Sequence, residues 1–182
     1  MNNWTRRGFI AASGMTAACT ATGISKSMAQ IDFEIDRARA DLFRSVAGTE
    51  QLARQAAGVL IIPEITEVGL FLGGSYGEGA LLIGDAKVDY FSFSAASIGL
   101  QIGAQRFSHA LFFMTQETLT GFRNTDGWQL GVDAEFVYKD DYGSIGVSTN
   151  TINLPVYAVV YAQSGAILGA TLQGAKYSRI RR

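Results

Sequence analysis

Chemistry-bearing side chains are scarce in this sequence. Cys19 and His109 are the single cysteine and the single histidine among 182 residues. That count excludes a disulfide framework and a zinc site, which needs several Cys or His ligands. His109 has no Ser or Asp at a spacing that would make a catalytic set, so it reads as a structural or surface histidine. Charged residues are only 17% of the chain against 48% hydrophobic, which excludes a disordered, self-repelling polymer. Proline occurs twice and glycine 21 times, a balance that favours turns and bent strands. What remains is one domain's length of chain, large enough to bury a core without covalent staples.

The first 29 residues read as an export signal. Arg6 and Arg7, followed by Phe9, match a twin-arginine pattern, although Ala11 stands where a lysine is usual. The weakly apolar run over 8–24 is too short and too polar to span a bilayer. Ser27 and Ala29 put small residues where a signal peptidase inspects, so cleavage is expected after Ala29. A rival route would acylate Cys19 in a lipoprotein box, with Thr16 at the position usually held by an aliphatic residue. Loss of 1–29 removes Arg6, Arg7 and Lys26 and no acid, which shifts the net charge from −1 to −4. An acidic chain argues against nucleic acid as a partner. The expected organisation is a signal over 1–29 and one domain over 30–182.

Along that domain, Ile31, Ile35, Ala38, Leu42 and Val46 recur at helical spacing. Gly48 is a stop and Thr49 a cap for a second short helix. Strands follow. Residues 59–62 form an apolar run ended by Pro63, and 68–73 and 79–83 flank an expected Gly-rich turn. Residues 88–94, 97–105 and 109–114 come next, with Gly84 and Asp85 turning the chain. Residues 97–105 alternate cleanly: Ile98, Leu100, Ile102 and Ala104 on one face, Gly99, Gln101, Gly103 and Gln105 on the other. Thr115 and Glu117 open a short helix near 116–123. Trp128 to Tyr138 reads as the longest alternating strand, 156–162 and 166–173 as a hairpin, and 176–180 as the closing strand. The class is α+β: a strongly curved antiparallel sheet or barrel with the helices mostly N-terminal. The glycines at 73, 77, 79, 99 and 103 are expected to be structural, those at 99 and 103 holding the sheet's curvature.

Several of these pieces resemble the SYLF domain, a lipid-binding domain also described as the actin-binding domain of certain yeast endocytic proteins. The resemblance is carried by residues 58–63, by the Gly-Gly-x-Tyr-Gly-x-Gly run over 73–79, and by Ile98, Gly99, Gln101 and Gly103. It continues through 112–115, through Gly127, Trp128, Gly131 and Asp133, and through Pro155, Val156 and Tyr157. It implies a non-enzymatic lipid- or membrane-binding protein, here of the bacterial periplasm or envelope, with no cofactor. Its partner would be anionic phospholipid or a membrane surface, and actin is not expected for an exported protein.

The residues themselves offer few rivals. The run over 73–79 lacks the Lys-Ser/Thr of a phosphate loop and precedes a strand. Asp133 and Glu135 share a strand face and, if they lined a pocket, would suit acid-pair chemistry or a hard cation. That supplies the alternative of an enzyme with an acidic pocket. An envelope scaffold that binds a protein partner is the other. Lys176, Arg179, Arg181 and Arg182 form the one dense cationic cluster, an expected contact for lipid headgroups.

Overall fold

The computed structural model describes residues 27–131, 136–139, 145–146, 155–165, 172 and 174–181. The helix α1 (Met28–Ser45) opens the described chain and α2 (Thr49–Gln55) follows. Two very long strands come next, β1 (Gly58–Ile83) and β2 (Ala86–Phe113), then α3 (Gln116–Asn124). Shorter strands finish the chain: β3 (Trp128–Gln129), β4 (Phe136–Lys139), β5 (Ile145–Gly146), β6 (Val156–Gly165) and β7 (Lys176–Ile180). The strands make one seven-stranded sheet in the order β3-β7-β2-β6-β4-β5, with β1 also on β2. The class is the expected α+β, with a strongly curled, half-barrel sheet. All the strand pairs are antiparallel except β4 with β6, which run parallel.

The helical signals behave locally. Ser27 caps α1, accepting from the Gln30 amide, and Thr115 caps α3, accepting from the Thr118 amide at 3.2 Å. The first helix ends at Ser45 with Val46 as its cap, and Gly48, at φ +87° in a left-handed conformation that favours glycine, leads into α2. Thr49 does not cap α2. Gly48 stands at that position, and the Thr49 hydroxyl turns back to donate to the Leu42 and Val46 carbonyls. It thereby satisfies acceptors that the end of α1 leaves open. The five apolar positions expected on one face of α1 are all buried. They pack on Val59, Ile61, Ala80, Leu82, Ala110 and Phe112, the outer face of the hairpin. Lys87 reaches Asp36 at 2.7 Å and Tyr90 donates to Asp32 at 2.7 Å, fixing the helix axis. Burial first, then the bond and the charges of Asp32 and Asp36, pushes the Tyr90 hydroxyl up to about 12.

Strand continuity departs from the sequence reading. The Gly-rich run over 73–79 is not a turn: it lies inside β1, with Gly73 opposite Ser97 and Gly79 opposite Phe91. The hairpin turn is at Gly84 and Asp85 alone, where Gly84 has φ +60°. Pro63 does not end the strand either. The pairing skips from Ile62 to Ile65, a bulge that accommodates the missing proline N–H, with Glu64 at φ +48°. A second register shift sets Phe71 against residues 99–101, where Gly99 lies, while Gly103 pairs with Gly69. Of the strand expected from Trp128 to Tyr138, β3 ends at Gln129, Gly131 takes φ +81°, residues 132–135 lie outside the described residues and β4 starts at Phe136. The far arm of the expected hairpin, over 166–173, lies almost wholly outside the described residues.

These bends fold β1 back on itself. The Gly77 position faces Ile65 and Ile62, whose side-chain carbons would lie 2.6 and 2.9 Å from an added Cβ. At Gly79 an added Cβ would overlap the Ile61 carbonyl oxygen and come within 2.8 Å of the Ile62 Cα. Two stretches of one strand therefore touch backbone to backbone, a packing only glycine permits. The curled inner face encloses an aromatic core of Phe91, Phe93, Phe107, Phe113, Trp128 and Tyr177, closed by Leu119 and Phe122 of α3. Phe122 and Phe113 have ring centroids 4.7 Å apart, and Phe122 and Trp128 5.3 Å. Each such ring stabilises the fold by roughly 1.5–3 kcal/mol through burial.

Gly79→Ala is expected to lower the unfolding free energy by about 2 kcal/mol or more through overpacking against backbone. Gly74→Ala is the control, since its Cβ would meet only the Ala95 carbonyl, at 3.9 Å. There the change should stay within about 0.5 kcal/mol. Urea unfolding of both variants checks this, and equal effects would refute the close approach.

Candidate functional site

The closing strand β7 divides the four C-terminal cations. Lys176 is exposed on the face opposite buried Tyr177, and it pairs in register with Ser94 and Gln129. Arg179 lies on the Tyr177 side. Its guanidinium sits 5.7 Å from the centre of the Phe91 ring and 3.5 Å from Asp89, and it donates to the Arg123 carbonyl at 2.9 Å. Asp89 also takes Arg123 at 2.8 Å. Arg179 is thus part of a clasp between β7, β2 and the end of α3. Arg181 is exposed, and Arg182 lies outside the described residues. So do Arg6, Arg7, Phe9, Cys19, Asp133 and Glu135. The bond after Ala29, where cleavage is expected, lies in the first turn of α1.

His109 is fully buried in the inner core. Its Nε2 lies 3.1 Å from the Tyr177 hydroxyl, and Phe93 packs 4.8 Å from the imidazole. Its Nδ1 has no partner among the described residues. Burial pushes the imidazole down to about 3 and raises the Tyr177 hydroxyl well above its ordinary value. A neutral imidazole in an aromatic cage is a packing residue with a polar contact. Beside it on the same strand, Gln105 is buried and donates to Glu67 at 2.6 Å.

A sizeable cavity lies elsewhere, where the doubled β1 meets β2. It has a volume of about 630 Å³ and is lined by Pro63, Thr66, Val68, Tyr76, Glu78 and Arg106, among others. A second cavity of about 320 Å³ lies between this bend and α1, with Phe33, Glu34, Arg37 and Asp41 on its helix side. Both share Pro63, Glu64 and Arg106. The sequence reading missed this cleft, since Tyr76 and Glu78 sit in the run assigned to a turn. The one local signal was Pro63 followed by Glu64, a break in an otherwise apolar strand. No group of three or more metal-ligating side chains occurs among the described residues. No described helix is long and apolar enough to cross a membrane.

The burial of His109 carries a sign for stability. A folded value below the unfolded 6.5 means that the neutral form's stability is fully present above pH 6.5. It is lost as pH falls toward 3, because the unfolded chain then binds the extra proton. Between pH 7 and pH 5 the unfolding free energy is expected to fall by about 2 kcal/mol more in the native protein than in His109→Gln. Urea titrations at the two pH values measure the difference; parallel slopes would place the imidazole in contact with solvent.

Comparison with known proteins gives one family. Residues 94–181 match the family model described as Ysc84, Las17-binding protein actin regulator. No curated protein matches the chain. The matched segment holds most of β2, all of α3 and β7, and both His109 and Arg106, while α1 and β1 precede it. It also contains the motifs from Gly99 to Tyr157 on which the SYLF resemblance rests. Residues 94–181, a little under half of the chain, are thus similar to the Ysc84, or SYLF, family of binding domains.

Proposed function

We propose that this protein is a non-enzymatic module that binds phospholipid at a membrane surface of the bacterial envelope. The observation that carries the reading is the family match, because the family is associated with lipid binding and actin regulation. Two features of the chain support it. Phe33, Val68 and Tyr76 are large apolar or aromatic side chains left 68%, 56% and 54% exposed, more than folding requires. Lys176 and Arg181 are exposed cations near the end of the chain, suited to an anionic headgroup. Arg179 would contribute less, since Asp89 and Phe91 already hold it. Actin is left out because the export signal expected over residues 1–29 would take the chain out of the cytoplasm.

Flotation with anionic and zwitterionic vesicles at two salt concentrations tests the proposal. Anionic vesicles should carry the protein up at low salt, and screening should release much of it. A combined Lys176→Gln, Arg181→Gln and Arg182→Gln variant should bind about tenfold or more weakly, at roughly 1 kcal/mol per cation. Its circular dichroism should be unchanged. No flotation with either vesicle type would end the lipid reading and favour a scaffold.

Export is testable separately. Arg6→Lys with Arg7→Lys should abolish periplasmic accumulation in cell fractionation, since the twin-arginine route reads the Arg pair. Undiminished accumulation would refute that route, and a mature chain starting at acylated Cys19 would establish a lipoprotein.

A further inference from the structure

Both neighbours of β2 break their pairing at one level, beside Ser108. On β1 the register skips from Ile62 to Ile65, and the Glu64 amide donates to the Ser108 hydroxyl at 3.2 Å. On β6 it skips between the partners of Arg106 and Ser108. Glu64 at φ +48° and Ala162 at φ +54° sit in these two bulges, the only non-glycine residues at positive φ among the described residues. Left-handed backbone is strained for such residues, and strain of this kind collects at binding sites. Each bulge reverses the alternation of its strand. On β1, Leu60 and Ile62 face the inner core before the bulge. After it Ile65 does, and so does Glu67, which lies opposite Gln105. On β6, Ala158 and Val160 face inward. Beyond Ala162, Ser164 pairs with Arg106 and joins it in the cavity beside α1, so Gln163 turns inward. The two bulges thus bring Glu67 and Gln163 to either side of Gln105.

The polar layer so formed has open hydrogen-bonding positions. Gln105 is 2% exposed. Its Nε2 donates to the Glu67 carboxylate at 2.6 Å, and its Oε1 has no partner among the described residues. The side-chain amide of Gln163 is buried, and neither its oxygen nor its nitrogen has a partner among them. Two acceptors and one donor are left open where desolvation is costly. The rung on the far side from the aromatic core is Gly69 opposite Gly103, half-buried and without side chains. Gly165, opposite Gln105 on β6, adds none either. The inner face beside the carboxamides is therefore bare backbone, which a ligand can approach closely.

We propose that this layer binds neighbouring hydroxyl groups of a neutral sugar. Two adjacent hydroxyls donate to Gln105 Oε1 and Gln163 Oε1, and one of their oxygens accepts from Gln163 Nε2. The ring lies over the glycine rung. Hydrogen-bonding capacity makes this selection: Glu67 is already engaged by Gln105 and serves to orient it. The inner face at this level carries no lysine or arginine among the described residues, so a phosphate or carboxylate finds no counter-charge. The layer uses none of the cations proposed for anionic headgroups, and either reading can fail alone.

Nuclear magnetic resonance of the full chain tests the site through the side-chain amide signals of Gln105 and Gln163. Methyl glucoside, methyl galactoside and methyl mannoside are titrated one at a time. At least one should shift both signals saturably. Its fully O-methylated counterpart, which keeps the ring and loses every O–H donor, should bind about tenfold or more weakly, a comparison that needs no variant. Gln163→Leu removes both open amide atoms at similar volume and should weaken binding about tenfold, with circular dichroism to check the fold. No saturable shift with any of the three sugars, equal binding of the O-methylated form, or indifference of a folded Gln163→Leu would overturn the proposal and leave the layer to buried water. Flotation with phosphatidylcholine vesicles, with and without a diacylglycerol bearing the preferred sugar, then assigns the source. A preference lost in Gln163→Leu identifies a lipid-borne sugar, and soluble binding without that preference identifies the free one.

Discussion

The contact between the Gly79 position and the Ile61 backbone is the constraint on which the rest depends. It lets one strand cross over itself, and so turns a flat hairpin into a curled sheet with an inside and an outside. The inside collects the aromatic rings and receives α3. The outside receives α1. With a side chain at that position the two stretches of β1 would stand apart, and the inner core would lose its closure. The cleft at Pro63 and Glu64 is the outer consequence of the same bend, since a strand that doubles back must open a gap where it turns.

Legibility in the sequence followed the range of the interaction. The helices were readable because caps and apolar spacing act within a few residues: Thr115 caps α3, and Ile31 through Val46 face the sheet, whereas Ser27, the cap of α1, reads in the sequence only as part of a cleavage site. The curled α+β class was readable from glycine content and alternation. The continuity of β1 was not. Glycine ordinarily weakens a strand, so Gly73 to Gly79 read as a turn, and only the distant Ile61, Ile62 and Ile65 show why Gly77 and Gly79 are there. Trp128 to Tyr138 failed in the opposite sense. Its alternation is real, but the backbone reversal at Gly131 is invisible to a side-chain pattern. Thr49 was assigned a capping role from its type, and the fold used its hydroxyl on the preceding helix instead.

The candidate sites were less legible than the fold. A run of cations near the chain end looked like one patch, yet a strand sends Lys176 and Arg179 to opposite faces, and Asp89, far away in sequence, claims Arg179. Arg106 drew no notice, being one charge in an alternating strand. The bend of β1 places it in the lining of one cavity with Glu64 and Glu78. Charge counted along a chain is a poor guide to charge gathered in a cleft.

The family match begins at residue 94, in the middle of β2. That boundary leaves β1 outside the match and cuts every ladder pair between β1 and the matched part of β2, so the matched segment is a unit of sequence likeness and not a unit of folding. Pairing in the long hairpin is nested. Ile83 lies opposite Ala86 at the turn, and Gly58 lies opposite Phe113 at the far end, about 55 residues apart along the chain. The loop to be closed is smallest at Gly84 and grows outward, which favours zippering from the turn. A chain trimmed to the matched residues would lack the first arm of that zipper. Its β2 would present a long row of unpaired backbone groups to any other strand it met, the geometry from which aggregates grow.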